Sequence, residues 1–350
     1  MRPYGLIADL HLHSWSAFST VNDDGVNSRL RILLSEIARC ANEVRKAGGD
    51  TIIIAGDMFH VRGSVAPSVL NPTMDVLRKL IGLDFRFVVL AGNHDLEGKE
   101  ANRLGSAITA LEGVGCTVVN EILDGLDCVL VPWIQDVGLL KVQIETIVAS
   151  RSDRDEVDLI LHAPIDGVIP GLPDHGLAPD YLGTLGFRSV YAGHYHHHKE
   201  FDGSIYSIGA LAHHTWSDIG TKAGFLIVGD GGPRWFKSHA PEFVEITAET
   251  DPGEIPLLAD GNYCRAKINS TKVKDVEELR AYLTSCGAKG VVILAQKEAT
   301  ATAREGGATI KAGASLDVSV ADFIKAQGYS NPERLAVLCQ DILNETKGAA

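Results

Sequence analysis

Short runs of Val, Ile and Leu recur through the first two-thirds of the chain, at residues 4–8, 51–55, 85–91, 128–132, 159–163 and 190–192. Runs this rich in apolar residues, rather than apolar at every second position, are what strands buried on both faces require. Between the first two, residues 28–47 carry Leu30, Leu33, Leu34, Ile37, Ala41 and Val44 on one face of an amphipathic helix, and Gly48 and Gly49 follow as a stop. Residues 69–81 and 139–149 read as helices of the same kind. This alternation predicts a layered α/β domain.

From residue 204 the helices drop out. Strands at 204–208, 224–228, 234–238 and 243–246 predict an antiparallel run that completes the domain over residues 1–246. Residues 251–256 (DPGEIP) read as a linker, and 263–268, 275–286 and 291–296 as a strand, helix and strand of a compact unit over 257–298. Residues 299–314 are small, polar and Gly-rich, the composition of a flexible linker. In 315–350, residues 317–326 and 331–344 predict two short helices, with Asn331 and Pro332 as cap and first helical position.

With 350 residues and 45% hydrophobic content the chain can build one large core or two smaller ones, which excludes a disordered or collagen-like protein. Its 32 Lys plus Arg against 45 Asp plus Glu give −13, the wrong sign for coating phosphate backbones unaided. The six cysteines are scattered without a C-x-x-C, as expected of reduced thiols. No signal-like segment opens the chain and no apolar run approaches the roughly 18 residues of a bilayer span, so a soluble, cytoplasmic protein is expected. There is no Walker A pattern, and ATP chemistry is not expected of this chain.

Metal-ligand residue types accumulate just past the predicted strands. They are Asp9-x-His11 after the first, Gly56-Asp57 after the second, Gly92-Asn93-His94-Asp95 after the third, then His162, and finally Gly193-His194-Tyr195-His196. Loops that follow strands are where open α/β sheets place their sites. Histidine, carboxylate and an Asn carbonyl suit Mn²⁺, Fe²⁺ or Zn²⁺ better than Ca²⁺, and no cysteine sits in the motifs.

The series DLH, GDMFH, GNHD, a lone strand-end His and GHYH resembles the calcineurin-like metallophosphoesterases over roughly residues 1–245. Within them, GDMFH and the C-terminal extension look like the SbcD-type DNA double-strand-break repair nuclease subunits of bacteria and phages. The resemblance implies a four-layer αββα sandwich with a small α+β capping domain and a C-terminal helical segment. It implies two divalent ions, Mn²⁺ foremost with Fe²⁺, Zn²⁺ or Mg²⁺ as alternatives. By matching positions the first would be held by Asp9, His11, Asp57 and His196, and the second by Asp57, Asn93, His162 and His194. His94, free of metal, would protonate the leaving oxygen or stabilise the transition state, with Asp95 orienting it and favouring its charged form. His60 would position DNA for exonucleolytic cleavage. The implied function is a two-metal DNA nuclease, exonucleolytic and also endonucleolytic, working at DNA ends with an SbcC-type SMC-like coiled-coil ATPase in repair, recombination or replication. That ATPase would dock on Val318, Val320, Phe323, Ile324, Leu335, Leu338 and Ile342, and homodimerisation is left open.

Other readings compete. DLHLHS also resembles the start of the polymerase-and-histidinol-phosphatase type of phosphoesterase, which would make His13 a ligand but does not account for GNHD and GHYH. A phosphatase or cyclic-nucleotide phosphodiesterase acting on small molecules would share the motifs without needing residues 251–350. A scaffold with a decayed site is disfavoured by the complete donor set. His13, His197, His198, His213 and His214 crowd the same rim, and no metal role is expected for them. Trp15 and Phe18, in a loop longer than many relatives have, could stack on bases of a frayed end or form an apolar plug. Residues 1–245 hold 20 Lys plus Arg against 31 Asp plus Glu, hence −11, so the chain is expected to grip a strand end at its metals and leave duplex affinity to the ATPase.

Overall fold

A computed structural model of the protein describes residues 2–125, 127–269, 272–295, 320, 323–324 and 331–339. The predicted linker 299–314, and Val318 and Ile342 of the predicted docking surface, lie outside the described residues.

Two six-stranded sheets make the body. The first runs β12 (Gly232–Lys237), β11 (Gly224–Gly229), β1 (Tyr4–Ile7), β2 (Thr51–Ile54), β3 (Arg86–Leu90), β4 (Thr117–Val119). The second runs β5 (Leu123–Asp124), β6 (Cys128–Val131), β7 (Asp158–His162), β8 (Ser189–Gly193), β10 (Ile205–Ser207), β9 (Lys199–Phe201). The pairs β1–β2, β2–β3, β3–β4, β6–β7, β7–β8 and β8–β10 are parallel, which explains the largely apolar runs, because the central strands are covered on both faces.

The alternation of side chains assigns those faces. Leu6 and Ala8 of the β1 segment point between the sheets, where they meet Ile160, Tyr191 and Ile208 of the second sheet. Ile7 points the other way, into a core shared with Leu30, Leu34 and Ile37 of helix α1 (Ser28–Lys46) and Leu77 of α2 (Pro67–Ile81). The outer face of the second sheet is covered by Leu140 and Ile144 of α3 (Val137–Ser150) and Leu182 of α4 (Pro179–Thr184). Helices, sheet, sheet and helices are thus four layers, as expected. At α1 the Asn27 side chain accepts from the backbone N–H groups of Arg29 and Leu30 at 3.0 and 3.1 Å, capping the helix where the pattern begins. The inner core ends on a polar contact that crosses the sandwich: the Tyr4 hydroxyl donates to Asp158 Oδ2 at 2.7 Å, and Arg188 closes on the same carboxylate at 2.9 and 2.5 Å.

The segment after residue 204 differs from expectation. β11 and β12 form an antiparallel hairpin, whereas β10 joins the second sheet, antiparallel to β9 and parallel to β8. Residues 243–246 join neither six-stranded sheet. They form β13 (Phe243–Ile246), which pairs in parallel with β14 (Tyr263–Ile268), itself parallel to β15 (Gly290–Ala295). The strand, helix and strand expected from residue 263 onward thus share a three-stranded sheet with β13, because strand pattern reports burial and not which sheet is joined. The predicted linker 251–256 runs into a short helix, α5 (Ile255–Ala259), which packs with α6 (Val273–Ser285) over Ile246, Cys264 and Leu283.

The loop after β1 fastens this unit to the body. Phe18 stacks on Tyr263 with centroids 4.9 Å apart and planes at 15°, and meets Trp216 edge-on at 5.9 Å. His213 accepts from the backbone N–H of Phe243 at 3.0 Å. Of the two readings of Phe18, the apolar plug is the one its contacts describe. Farther along, residues 332–339 are helical and the Asn331 side chain accepts from the backbone N–H of Arg334 at 3.3 Å. Phe323 and Leu338 are about half exposed there, and Ile324 is buried. Among the described residues no helix is long and apolar enough to cross a membrane.

Candidate metal centre

Parallel pairing brings the C-terminal ends of β1, β2, β3, β7 and β8 to one edge of the sandwich, and the chain turns sharply there. Asp9, His11, Asp57 and His194 all have positive φ, at 50°, 42°, 52° and 108°, a backbone region that costs a non-glycine residue of order 1–3 kcal/mol. Two glycines make the approach possible. A Cβ on Gly56 would stand 2.1 Å from His162 Nδ1, and one on Gly92 would stand 2.2 Å from the Asp57 backbone nitrogen.

Three groups of donor atoms result among the described residues, one of them made of His11, His60 and His94, and the other two of residues expected to hold metal. In one of those two, oxygens and nitrogens of Asp9, His11 and His196 lie within 4.8 Å of one another, with His11 Nε2 3.1 Å from His196 Nε2. In the other, Asp57, His162 and His194 are grouped the same way, and Asn93 Oδ1 lies 3.0 Å from His194 Nδ1 and 3.2 Å from His162 Nε2. Asp57 stands between them: its Oδ2 is 3.7 Å from His11 Nε2 and its Oδ1 3.4 Å from His162 Nε2. All seven residues expected to hold metal are therefore brought together, in two groups with one carboxylate facing both.

Hydrogen bonds fix the ring tautomers, since a carbonyl only accepts. His162 Nδ1–H donates to the Ala55 carbonyl at 2.8 Å, which turns Nε2 into the cluster. His196 Nδ1 donates to Asp218 Oδ1 at 2.7 Å, turning its Nε2 inward likewise. Asp218 accepts in turn from the backbone N–H groups of His214 and Thr215 at 2.7 and 2.9 Å, as the second half of a capping box. Sequence reasoning missed Asp218, which lies 22 residues beyond His196 and outside every motif. Its pattern T-W-S-D was the one available signal, as a capping box. Asp218→Asn is expected to weaken the first cation at least about 10-fold by loosening His196; Mn²⁺ titration calorimetry reads it as one weakened site beside one unchanged.

Charge is unevenly settled in this cluster. Burial pushes the Asp9 carboxyl up to about 6 against the pull of His162 and His196. Burial favours neutral Asp57 as well, but the charges of His162 and His11 outweigh it and hold the carboxyl well below the usual range. On His162 burial opposes the charge, and Asp57 and Asp9 overcome it, raising the imidazole to about 9. His194 is pushed down to about 3, first by burial and then by His162. Nitrogen and carboxylate donors converging this closely are of the types that could hold divalent cations.

His60 and His94 stand beside the first group. His60 Nδ1 is 3.5 Å from His11 Nδ1, and His94 Nδ1 donates to the His60 carbonyl at 2.7 Å. The expected link from Asp95 to His94 is replaced by another. Asp95 is fully buried and its carboxylate accepts from the backbone N–H groups of Met58, Phe59 and Gly92 at 3.3, 2.9 and 2.9 Å. At a tight turn adjacent side chains diverge, so Asp95 pins the Asp57 loop to the Asn93 loop, and the His60 backbone orients His94. Burial first, then the Asp57 charge, raises the Asp95 carboxyl to about 7.

Three of the other rim histidines bond backbone carbonyls. His214 donates Nε2–H to the Asp9 carbonyl at 2.8 Å, His213 bonds the Thr221 carbonyl at 3.1 Å, and His198 the Ser207 carbonyl at 3.0 Å. Trp15 lies against His60, with centroids 4.5 Å apart, and stacks on His214 at 5.7 Å.

The model of the calcineurin-like phosphoesterase family matches residues 2–198. Among characterised proteins the chain is similar to Exonuclease subunit 1 of Enterobacteria phage T4, 24% identical over 196 residues that make up 53% of this chain and 54% of the phage protein. The match thus spans about half of that relative. Among solved structures it is similar to the Pseudomonas putida nuclease MPE, at 18% identity and a TM-score of 0.29, covering 58% of this chain and 66% of that one. A dimetal phosphatase from Danio rerio is similar at 12% identity and a TM-score of 0.39, covering 64% and 91%.

Proposed function

The chain belongs to the calcineurin-like phosphoesterase family, a hydrolase family acting on phosphoester bonds through divalent metal ions, and on that premise we propose that it is a two-metal DNA nuclease. In this reading it cleaves phosphodiesters at DNA ends, as exonuclease and endonuclease, and is the nuclease subunit of an assembly with an SMC-like coiled-coil ATPase. The observation that carries the reading is the pair of donor groups facing Asp57 from both sides, with His94 and His60 alongside. The likeness to a phage exonuclease subunit supports a nucleic-acid substrate.

Asp9, His11, Asp57 and His196 would hold one cation, and Asp57, Asn93, His162 and His194 the other. Such a pair supplies a nucleophile at neutral pH and positive charge at the phosphoryl oxygens. The chain's own residues do the rest. His94, its Nδ1–H held by the His60 carbonyl, keeps Nε2 for the leaving oxygen. Asp95 holds the two loops that carry Asp57 and His94 at a fixed separation. His60, stacked beside His94 with centroids 5.7 Å apart, would position an entering strand.

The test compares Mn²⁺-dependent cleavage of linear DNA with hydrolysis of small phosphomonoesters and cyclic nucleotides. Degradation from DNA ends with little turnover of the small esters is the expected result; the reverse preference makes the chain a small-molecule phosphatase. Co-purification of the tagged full chain from its host is the check on the ATPase, which would be recovered as a P-loop protein with long heptads.

A further inference from the structure

Beside the second donor group opens a cavity of about 340 Å³, bounded by Asn93 and His194 on one side and by Trp133, Lys99, Arg62 and Gln135 on the other. Trp133 follows β6 and was not singled out by sequence. Its indole lies flat against the His194 ring, with centroids 5.1 Å apart and planes at 28°, and its Nε1–H donates to the Lys99 carbonyl at 3.1 Å. The ring is therefore fixed in orientation while half-buried, and it lines the cavity. Arg62 and Lys99 are exposed, and neither side chain has an ion pair or hydrogen bond among the described residues. No carboxylate lines the cavity, although the chain carries −13 overall. An oriented aromatic ring and two uncommitted cations lining one cavity are the features of a single-strand subsite.

We propose that this cavity takes one unstacked nucleotide next to the scissile phosphate, its base on Trp133 and its flanking phosphates on Lys99 and Arg62. The proposal rests on the nuclease reading and names the substrate form that reading leaves open, a strand that is single at the point of cleavage. It also places local attraction for phosphate in an otherwise acidic domain. A base is accepted by its face, so the subsite would tolerate any sequence.

The test measures binding of a labelled short oligothymidylate, and of an abasic chain of equal length, to the full protein in chelator. Cleavage of the oligothymidylate with Mn²⁺ is followed in parallel. The native protein should prefer the thymidylate by about tenfold, the order of one base stack. Trp133→Ala should lose that preference and Trp133→Phe keep most of it. Arg62→Ala with Lys99→Ala, both on exposed positions, should weaken both chains alike and reduce the salt slope by about two. A Trp133→Ala protein that still prefers thymidylate, or a double variant with an unchanged salt slope, overturns the subsite while cleavage by the native protein still stands. Should Trp133→Ala fail to fold, the salt slope of the double variant decides. Native protein that binds but never cleaves removes the nuclease reading instead.

Discussion

His94→Asn is expected to lower turnover by about 10²- to 10⁴-fold while both cations stay bound, the range of a lost proton-transfer group. The Asn93–His94 turn is held by the backbone N–H of His94, which donates to Asp57 Oδ1 at 2.8 Å and survives the change. The amide of Asn can still donate to the His60 carbonyl, as Nδ1 does at 2.7 Å in the native protein. What disappears is Nε2, which has no hydrogen bond among the described residues. Elemental analysis of the purified variant together with kcat on a small aryl phosphodiester separates the roles. Full metal content with collapsed kcat is the expected pair of results. A variant that loses a cation makes His94 a ligand.

The asymmetry between what the sequence disclosed and what it concealed has physical causes. Strands such as Ile52 to Ile54 are legible because a parallel strand covered on both faces must be apolar throughout. The two- and three-residue strands β4, β5 and β9 carry exposed positions and too few residues for any period to show. The donors were legible because each follows a strand and is of a type that few other roles require there. Asp95 misled for a local reason: its place next to His94 in sequence says nothing about direction at a turn, and the buried carboxylate went to three backbone N–H groups instead. Asp218 and Trp133 stayed hidden because each reaches the centre through a partner that lies far away in the chain, His196 and His194. Positive φ at Asp9, His11, Asp57 and His194 left no mark in the sequence at all, since the strain is sustained by the surrounding fold.

Asp57→Asn is expected to be the most damaging single change, with kcat/KM lower by about 10³-fold or more as both cations are weakened together. Other donors serve one group; this carboxylate faces His11 with one oxygen and His162 with the other. Its charge also organises the metal-free protein. His162, raised to about 9, and Asp57, held low, form a buried pair at neutral pH. The His162 half of that stabilisation is complete below about 6.5, its unfolded value, and is lost as pH climbs through about 9; the Asp57 half is present above about 4 and fades below it. Cations must take the place of the His162 proton, so loading near neutral pH should release at least about one proton and tighten as pH rises. Calorimetric Mn²⁺ titrations in two buffers of different ionisation enthalpy count that proton. In Asp57→Asn, His162 has lost its main counter-charge and is neutral beforehand, so both the release and the affinity should fall. A variant that binds two cations as tightly as the native chain, with the same proton release, would show that the two groups do not share Asp57.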